Sequence, residues 1–191
     1  MGRWEPDARE RLVRAALDLF GEQGYDNTAV AQIAERAGLT KSTFFRHFRD
    51  KREVLFGGQD ELAEVLTTGI TEAPEGAGPL AAVGAALVAV SAWFTDEQRA
   101  YGPQRRAVIA GNDELRERAA LKMVGFAVAM TDALKRRGVA ELEASVAAEL
   151  GVLAFQRAYD TWLEAGGDFG GITRRTLRDV REAVSSLEGA E

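Results

Sequence analysis

Residues 29–48 read AVAQIAERAGLTKSTFFRHF, and this stretch decides the fold. Val30, Ile33, Ala34 and Ala37 recur at helical spacing for about two turns and stop at Gly38. Leu39 then points inward, and Thr40 is placed to cap a second short helix running from Lys41 to Phe48. Two short helices joined by a tight glycine turn make a helix-turn-helix. The residue types fit each place in it. Ala34 and Ala37 are small enough for the helices to cross closely, Gly38 supplies the turn conformation, and Leu39 pins the turn to the core. Phe44 and Phe48 plug the second helix into the one before the motif. Lys41, Ser42, Thr43, Arg46 and His47 are left to project outward, as a helix entering a major groove requires.

Working outward, Leu12, Ala15, Ala16, Leu19 and Phe20 form the apolar stripe of a helix over Pro6–Gln23, with Pro6 in its first turn and Gly24 at its end. Thr28 is expected to cap the helix that follows. Asp50 caps a fourth, which starts at Lys51 and continues through Val54, Leu55, Leu62 and Leu66. TEAPEGAGP (71–79) is a loop by composition. Helices then follow over Leu80–Phe94, Gln104–Ala110, Asp113–Arg137, Glu141–Ala165 and Thr173–Leu187, about nine in all. The fold class is all-α. The expected division is an N-terminal three-helix module over 1–55 and a larger helical module over 56–191.

Composition narrows the function. With no Cys and one His in 191 residues there is no disulfide, thiolate nucleophile or His-rich metal site, and no cofactor is called for. The start MGRWEPDARE has no apolar signal core, and the most apolar run, 80–94, is too short to span a bilayer. A cytoplasmic protein with no membrane partner is expected. Net charge is −6, yet residues 36–52 hold six basic side chains against the single acid Asp50. That is a localised polyanion contact on an acidic body.

The run from Arg11 to Leu55 resembles the DNA-binding domain of the TetR/AcrR family of transcriptional repressors. The matching pieces are ALDLFGEQGYDNT (16–28), IAERAGLTKSTFFRHF (33–48) and DKREVL (50–55). The resemblance implies a homodimer that binds a palindromic double-stranded DNA operator and releases it when a small molecule fills the C-terminal domain. Carried over by position, it puts Thr28, Thr40, Lys41, Ser42, Thr43, Phe45, Arg46, His47 and Lys51 at the DNA. Thr40, Lys41 and Ser42 open the recognition helix, with Lys41 able to reach a base edge. Phe45 stands where the family has a tyrosine, so a phosphate-binding hydroxyl is missing and only apolar contact is left. Ala29 likewise replaces a threonine. Lys51 is expected to clamp a phosphate, while Arg49 and Arg52 supply long-range attraction.

The same resemblance makes 56–191 a ligand-binding and dimerisation domain. Its candidate pocket residues are Trp93, Phe94, Tyr101, Met123, Phe126, Met130, Phe155, Tyr159 and Trp162, and its candidate dimer seam is Leu177, Val180 and Val184. Few charges are available to bury, so a largely apolar effector is expected. RRAVIAGNDELRER (105–118) resembles a subgroup with acyl-CoA-like ligands. No nucleophile elbow, phosphate loop or catalytic constellation supports an enzyme. The competing reading is a helical small-molecule-binding or scaffold protein whose helix-turn-helix is vestigial.

Overall fold

In the computed structural model, which describes residues 8–188, every regular element among those residues is helical. The helices are α1 (Ala8–Gln23), α2 (Val30–Arg36), α3 (Lys41–His47), α4 (Glu53–Phe56), α5 (Gln59–Thr71), α6 (Pro79–Val90), α7 (Asp96–Ala110), α8 (Asp113–Arg136), α9 (Glu141–Ala165) and α10 (Phe169–Glu188), with one 3-10 turn at Ser91–Trp93. The expected role of Pro6 lies outside the described residues.

Several boundaries differ from those expected, and the following have a local reason. The cap of α2 is Ala29, not Thr28: the Gln32 side chain accepts from the Ala29 N–H at 2.8 Å and supplies what Ala29 lacks. The long fourth helix is split into α4 and α5 at Gly57–Gly58, where Gly58 has φ +86°, a conformation no helix interior tolerates. Helix α7 begins eight residues earlier than expected and carries Pro103 inside it. Its start is a reciprocal cap in which Thr95 Oγ1 accepts from the Gln98 N–H at 3.2 Å and Gln98 Oε1 accepts from the Thr95 N–H at 3.3 Å. Helix α10 begins at Phe169, because the Asp168 carboxylate accepts from the N–H groups of Gly170 (3.1 Å) and Gly171 (2.8 Å). Asp50 closes the turn ahead of α4, its Oδ1 accepting from Arg52 N–H at 2.7 Å and Glu53 N–H at 3.1 Å, but the helix begins at Glu53 rather than at Lys51.

The chain forms two compact units. One comprises residues 1–58 together with 101–119, and the other 59–100 together with 120–191. The N-terminal module therefore runs slightly past the expected boundary at 55, and it recruits a segment that the sequence reading assigned to the second module. Its core is built on Leu12, Ala16, Leu17, Ile33, Phe44 and Leu55, with the distant Leu115 fully buried among them. Side chains of this size contribute roughly 1.5–3 kcal/mol each when taken out of water.

The second unit has its own core, centred on Ile70, Val83, Leu87, Met130 and Leu134 from α5, α6 and α8. Beside it lies an aromatic cluster in which Phe94 contacts Phe155, Tyr159, Trp162 and Phe169, with centroids 4.5–5.9 Å apart. Arg137 closes the C-terminal end of α5. Its guanidinium donates to the carbonyls of Ile70, Thr71, Ala73 and Pro74 at 2.7–3.1 Å. These are the carbonyls that a helix end leaves without partners.

Candidate nucleic-acid interface

The outward face of α3 follows from what is driven inward. Phe44 is fully buried and Phe48 is 3% exposed, with rings 5.4 Å apart against α1 and α2. Two buried positions four apart fix the rotation of a seven-residue helix. The turn before it is held by Gly38 at φ +65° and by a 2.8 Å bond from the Leu39 N–H to the Ala34 carbonyl. The Arg11 guanidinium donates to the Ala37 carbonyl at the same turn. That residue, on α1, carries no signal for the role in the sequence, because it lies 26 positions away. Thr40 caps α3, its Oγ1 accepting from the Thr43 N–H at 3.1 Å and lying 2.9 Å from the Thr43 hydroxyl.

With that rotation, Thr40, Lys41, Ser42, Phe45, Arg46 and His47 are exposed and Thr43 is half-buried. Phe45 is 50% exposed, a large cost for a phenyl ring in a monomer, and the Lys41 ammonium lies 5.8 Å from its centroid. The basic charge of this region is not all available. Arg36 makes a bidentate pair with Glu22 at 2.8 and 2.9 Å, whose hydrogen bonds hold the Glu22 carboxyl below the usual carboxylate range. Arg52 is shared between Asp50 (2.8 Å) and Glu114 (2.9 Å). Among the described residues Lys41, Arg46 and Arg49 have no acidic partner and carry the positive field of this face.

Two residues expected at the DNA are turned to structural work. Thr28 is 2% exposed, and its hydroxyl donates to the Gly24 carbonyl at 2.8 Å, closing the turn between α1 and α2. Lys51 was expected to clamp a phosphate. Instead its ammonium donates to the carbonyls of Tyr25 (2.7 Å), Thr28 (3.3 Å) and Asp26 (3.4 Å) and sits 4.1 Å from the Tyr25 ring centroid. An ammonium has three protons, and here all three have acceptors within the protein. Burial, with the acids Glu114 and Asp50 nearby, pushes the Tyr25 hydroxyl up to about 12.

Residues 101–119 brace this unit from the far end of the sequence. The Gln104 side chain donates to the Leu17 carbonyl at 3.0 Å, Arg118 pairs with Glu53 at 3.0 Å, and the Asn112 amide meets Asp26 at 3.3 Å. Tyr101, expected in a ligand pocket, packs against this unit's core instead. The neighbour relations span 62 to 87 residues, which no local pattern encodes.

In the second unit, α5, α6, α8 and α9 enclose a wholly apolar cavity of about 10 Å³, the room of one water. Of the expected pocket residues, Phe126, Met130 and Phe155 line it. The rest of its wall is aliphatic, from Leu62, Leu66, Leu87, Val90 and Val152, which aromatic-seeking sequence reading passed over. Phe94, Tyr159 and Trp162 belong to the aromatic cluster, Met123 packs against the core, and Trp93 is 45% exposed on the 3-10 turn. The residues expected at a dimer seam lie as follows in the single chain. Leu177 and Val180 are buried in the unit's own core, because α10 turns its apolar stripe toward α6 and α9, and only Val184 remains half-buried. Large apolar side chains left exposed include Leu187 on α10, Leu121, Val124 and Val128 on α8, and Leu142, Val146 and Leu153 on α9. Among the described residues no cluster of potential metal ligands occurs, and no single helix is long and apolar enough to cross a membrane.

Residues 12–57 match the family model described as bacterial regulatory proteins, tetR family. The HTH-type transcriptional regulator TcmR of Streptomyces glaucescens is 42% identical over 82 residues, which is 43% of this chain and 36% of that protein. The matched stretch thus spans about a third of that relative's length. The likeness of fold extends further. A transcriptional regulator from Pseudomonas aeruginosa PAO1 superposes with a TM-score of 0.60 at 18% identity, over 98% of this chain and 94% of the other. A Bacillus subtilis regulator, FadR in complex with stearoyl-CoA, superposes with a TM-score of 0.57 at 16% identity, over 90% and 96%.

Proposed function

We infer that this chain, whose N-terminal domain belongs to the tetR family of bacterial regulatory proteins, is a sequence-specific transcriptional repressor. It binds a palindromic operator as a homodimer, and a small, largely apolar effector releases it. The observation that carries the reading is the outward row of α3, where Lys41, Ser42, Phe45, Arg46 and His47 stand exposed on a helix locked in rotation by Phe44 and Phe48. A helix of seven residues reads only a few base pairs, so two copies on a two-fold site are needed for useful discrimination. The cavity walled by Leu62, Leu66, Leu87, Phe126, Met130 and Val152 offers an effector no polar anchor, which favours an apolar compound. An effector larger than water enters by moving these side chains, and Met130 is the most pliable of them.

Fluorescence anisotropy against labelled DNA from upstream of the gene, with random DNA as control and at two salt concentrations, tests the reading. Tight, salt-dependent binding with preference over random sequence is expected. Equal weak binding to every sequence in a genome-wide selection would leave a ligand-binding or scaffold protein with a vestigial reader.

A further inference from the structure

Helix α6 is apolar around its whole circumference, yet one side of it has no neighbour. Ala81 and Ala85 are exposed and Gly84 and Val88 half-buried along a groove of about 470 Å³ whose other wall is α10. Leu177 closes the groove floor, its Cδ1 lying where a Cβ on Gly84 would come within 3.2 Å. Arg174, Arg178 and Arg181 stand on the α10 rim at one-turn spacing. A groove with an apolar floor and a cationic rim is complementary to an amphipathic anion.

The charge is concentrated at one end. Leu177 lies at Gly84 and Gly170 lies at Ser91, so α10 runs antiparallel to α6. Arg174 therefore sits toward the C-terminal end of α6, where it is paired with Asp168 at 3.4 Å. Arg178 and Arg181 sit toward the N-terminal end and, among the described residues, have no acidic partner. The same end holds the start of α6, a twelve-residue helix that begins at Gly78 without a side-chain cap, so its dipole adds positive potential there. From Ala81 the apolar floor continues to Val88, about 10 Å along the helix axis.

We propose that the groove between α6 and α10 binds a single-headed amphipathic anion, with its carboxylate or phosphate at Arg178 and Arg181 and its chain along Ala81–Val88. This site is separate from the internal cavity and independent of the DNA-binding reading. The free compound is the occupant, held by two guanidiniums in charge-assisted hydrogen bonds and by apolar contact along the floor.

Isothermal titration calorimetry of the full chain with decanoate tests this, with decanol as the uncharged control. Decanoate is expected to bind, decanol to bind at least about tenfold more weakly, and R178Q/R181Q to lose about tenfold or more in decanoate affinity. G84L, which fills the floor, is expected to lose decanoate as well, while V152F, which fills the internal cavity, retains it. Circular dichroism of each variant checks that it is folded. Undiminished binding by R178Q/R181Q overturns the proposal, and so does loss of binding by a folded V152F, which would place the anion inside. Light scattering and flotation with anionic phospholipid vesicles cover the other occupants. A change of oligomeric state in R178Q/R181Q without a change in decanoate affinity would assign the groove to a second copy. Arginine-dependent vesicle binding without decanoate binding would assign it to a membrane surface.

Discussion

Replacing Lys51 by alanine separates two roles that a lysine at this place can have. Its ammonium donates to the Tyr25, Asp26 and Thr28 carbonyls at 2.7, 3.4 and 3.3 Å and lies over the Tyr25 ring at 4.1 Å. A hydrogen bond to a charged group is worth about 1.5–3 kcal/mol net when well formed. Only the Tyr25 bond is short, and water can replace part of the other two because Lys51 is half-buried. Adding about 0.5–1 kcal/mol for the ring contact gives an expected loss of about 2 kcal/mol. In a chain of 191 residues that lowers Tm by roughly 4–8 °C, measured by thermal unfolding followed by circular dichroism. DNA binding, measured well below the new Tm, should keep the salt dependence of the wild type. A phosphate-binding lysine behaves in the opposite way: stability unchanged, and the slope of log K against log salt reduced by about 1. Wild-type Tm with a reduced slope would refute the structural role.

Lys41→Ala is expected to cost about 1–3 kcal/mol on the operator and much less on random DNA, and equal losses in anisotropy titrations would make Lys41 a phosphate contact. Asp50 gives an acid-sensitive cap. Burial pushes its carboxyl up, but hydrogen bonds from the Arg52 side chain and the Glu53 and Arg52 N–H groups outweigh this and hold it below the usual carboxylate value. A depressed folded-state pKa stabilises the fold above the unfolded-state pKa, and the contribution disappears as pH falls through the folded value. The Tm difference between wild type and Asp50→Asn should therefore be present at pH 7 and shrink as pH falls below the ordinary carboxylate range, and a constant difference across the range would exclude the linkage. Leu177→Ala, at a site 8% exposed in the unit's own core, should lower Tm at every protein concentration. The cost is about 2–4 kcal/mol. A Tm effect that disappears on dilution would return Leu177 to a subunit seam.

Sequence patterning carried the local part of this fold. The apolar spacing that placed Phe44 and Phe48 inward also placed Lys41, Ser42, Phe45, Arg46 and His47 outward, and the structure has them so. Caps made by a side chain of the expected type, Thr40 and Asp50, were equally legible. Legibility failed where a partner is remote. Lys51 reads as a free surface cation until the α1–α2 turn, 23–26 residues upstream, is folded against it. Leu115 carries no mark that it belongs to the N-terminal core. A helix stripe such as Leu177–Val180–Val184 specifies that one face is buried but not against what, so the same pattern serves a core and a subunit seam equally well. The internal cavity is half-legible: Phe126, Met130 and Phe155 stand out by type, whereas the leucines and valines that make most of its wall look like any other core residue.

The N-terminal unit is discontinuous, and this sets an order on its synthesis. Residues 1–58 emerge from the ribosome first, but the unit's core includes Leu115, and Arg118 and Glu114 are the counter-charges of Glu53 and Arg52. A chain arrested at Gly58 has an open hydrophobic slot and leaves Glu53 without its counter-charge, while Arg52 keeps only Asp50, and so does an excised N-terminal segment of that length. Folding of the first unit waits for residue 119, by which time residues 59–100, more than a third of the second unit, have already been made. The N-terminal unit is thus not a detachable module, and its maturation is timed by the chain that follows it.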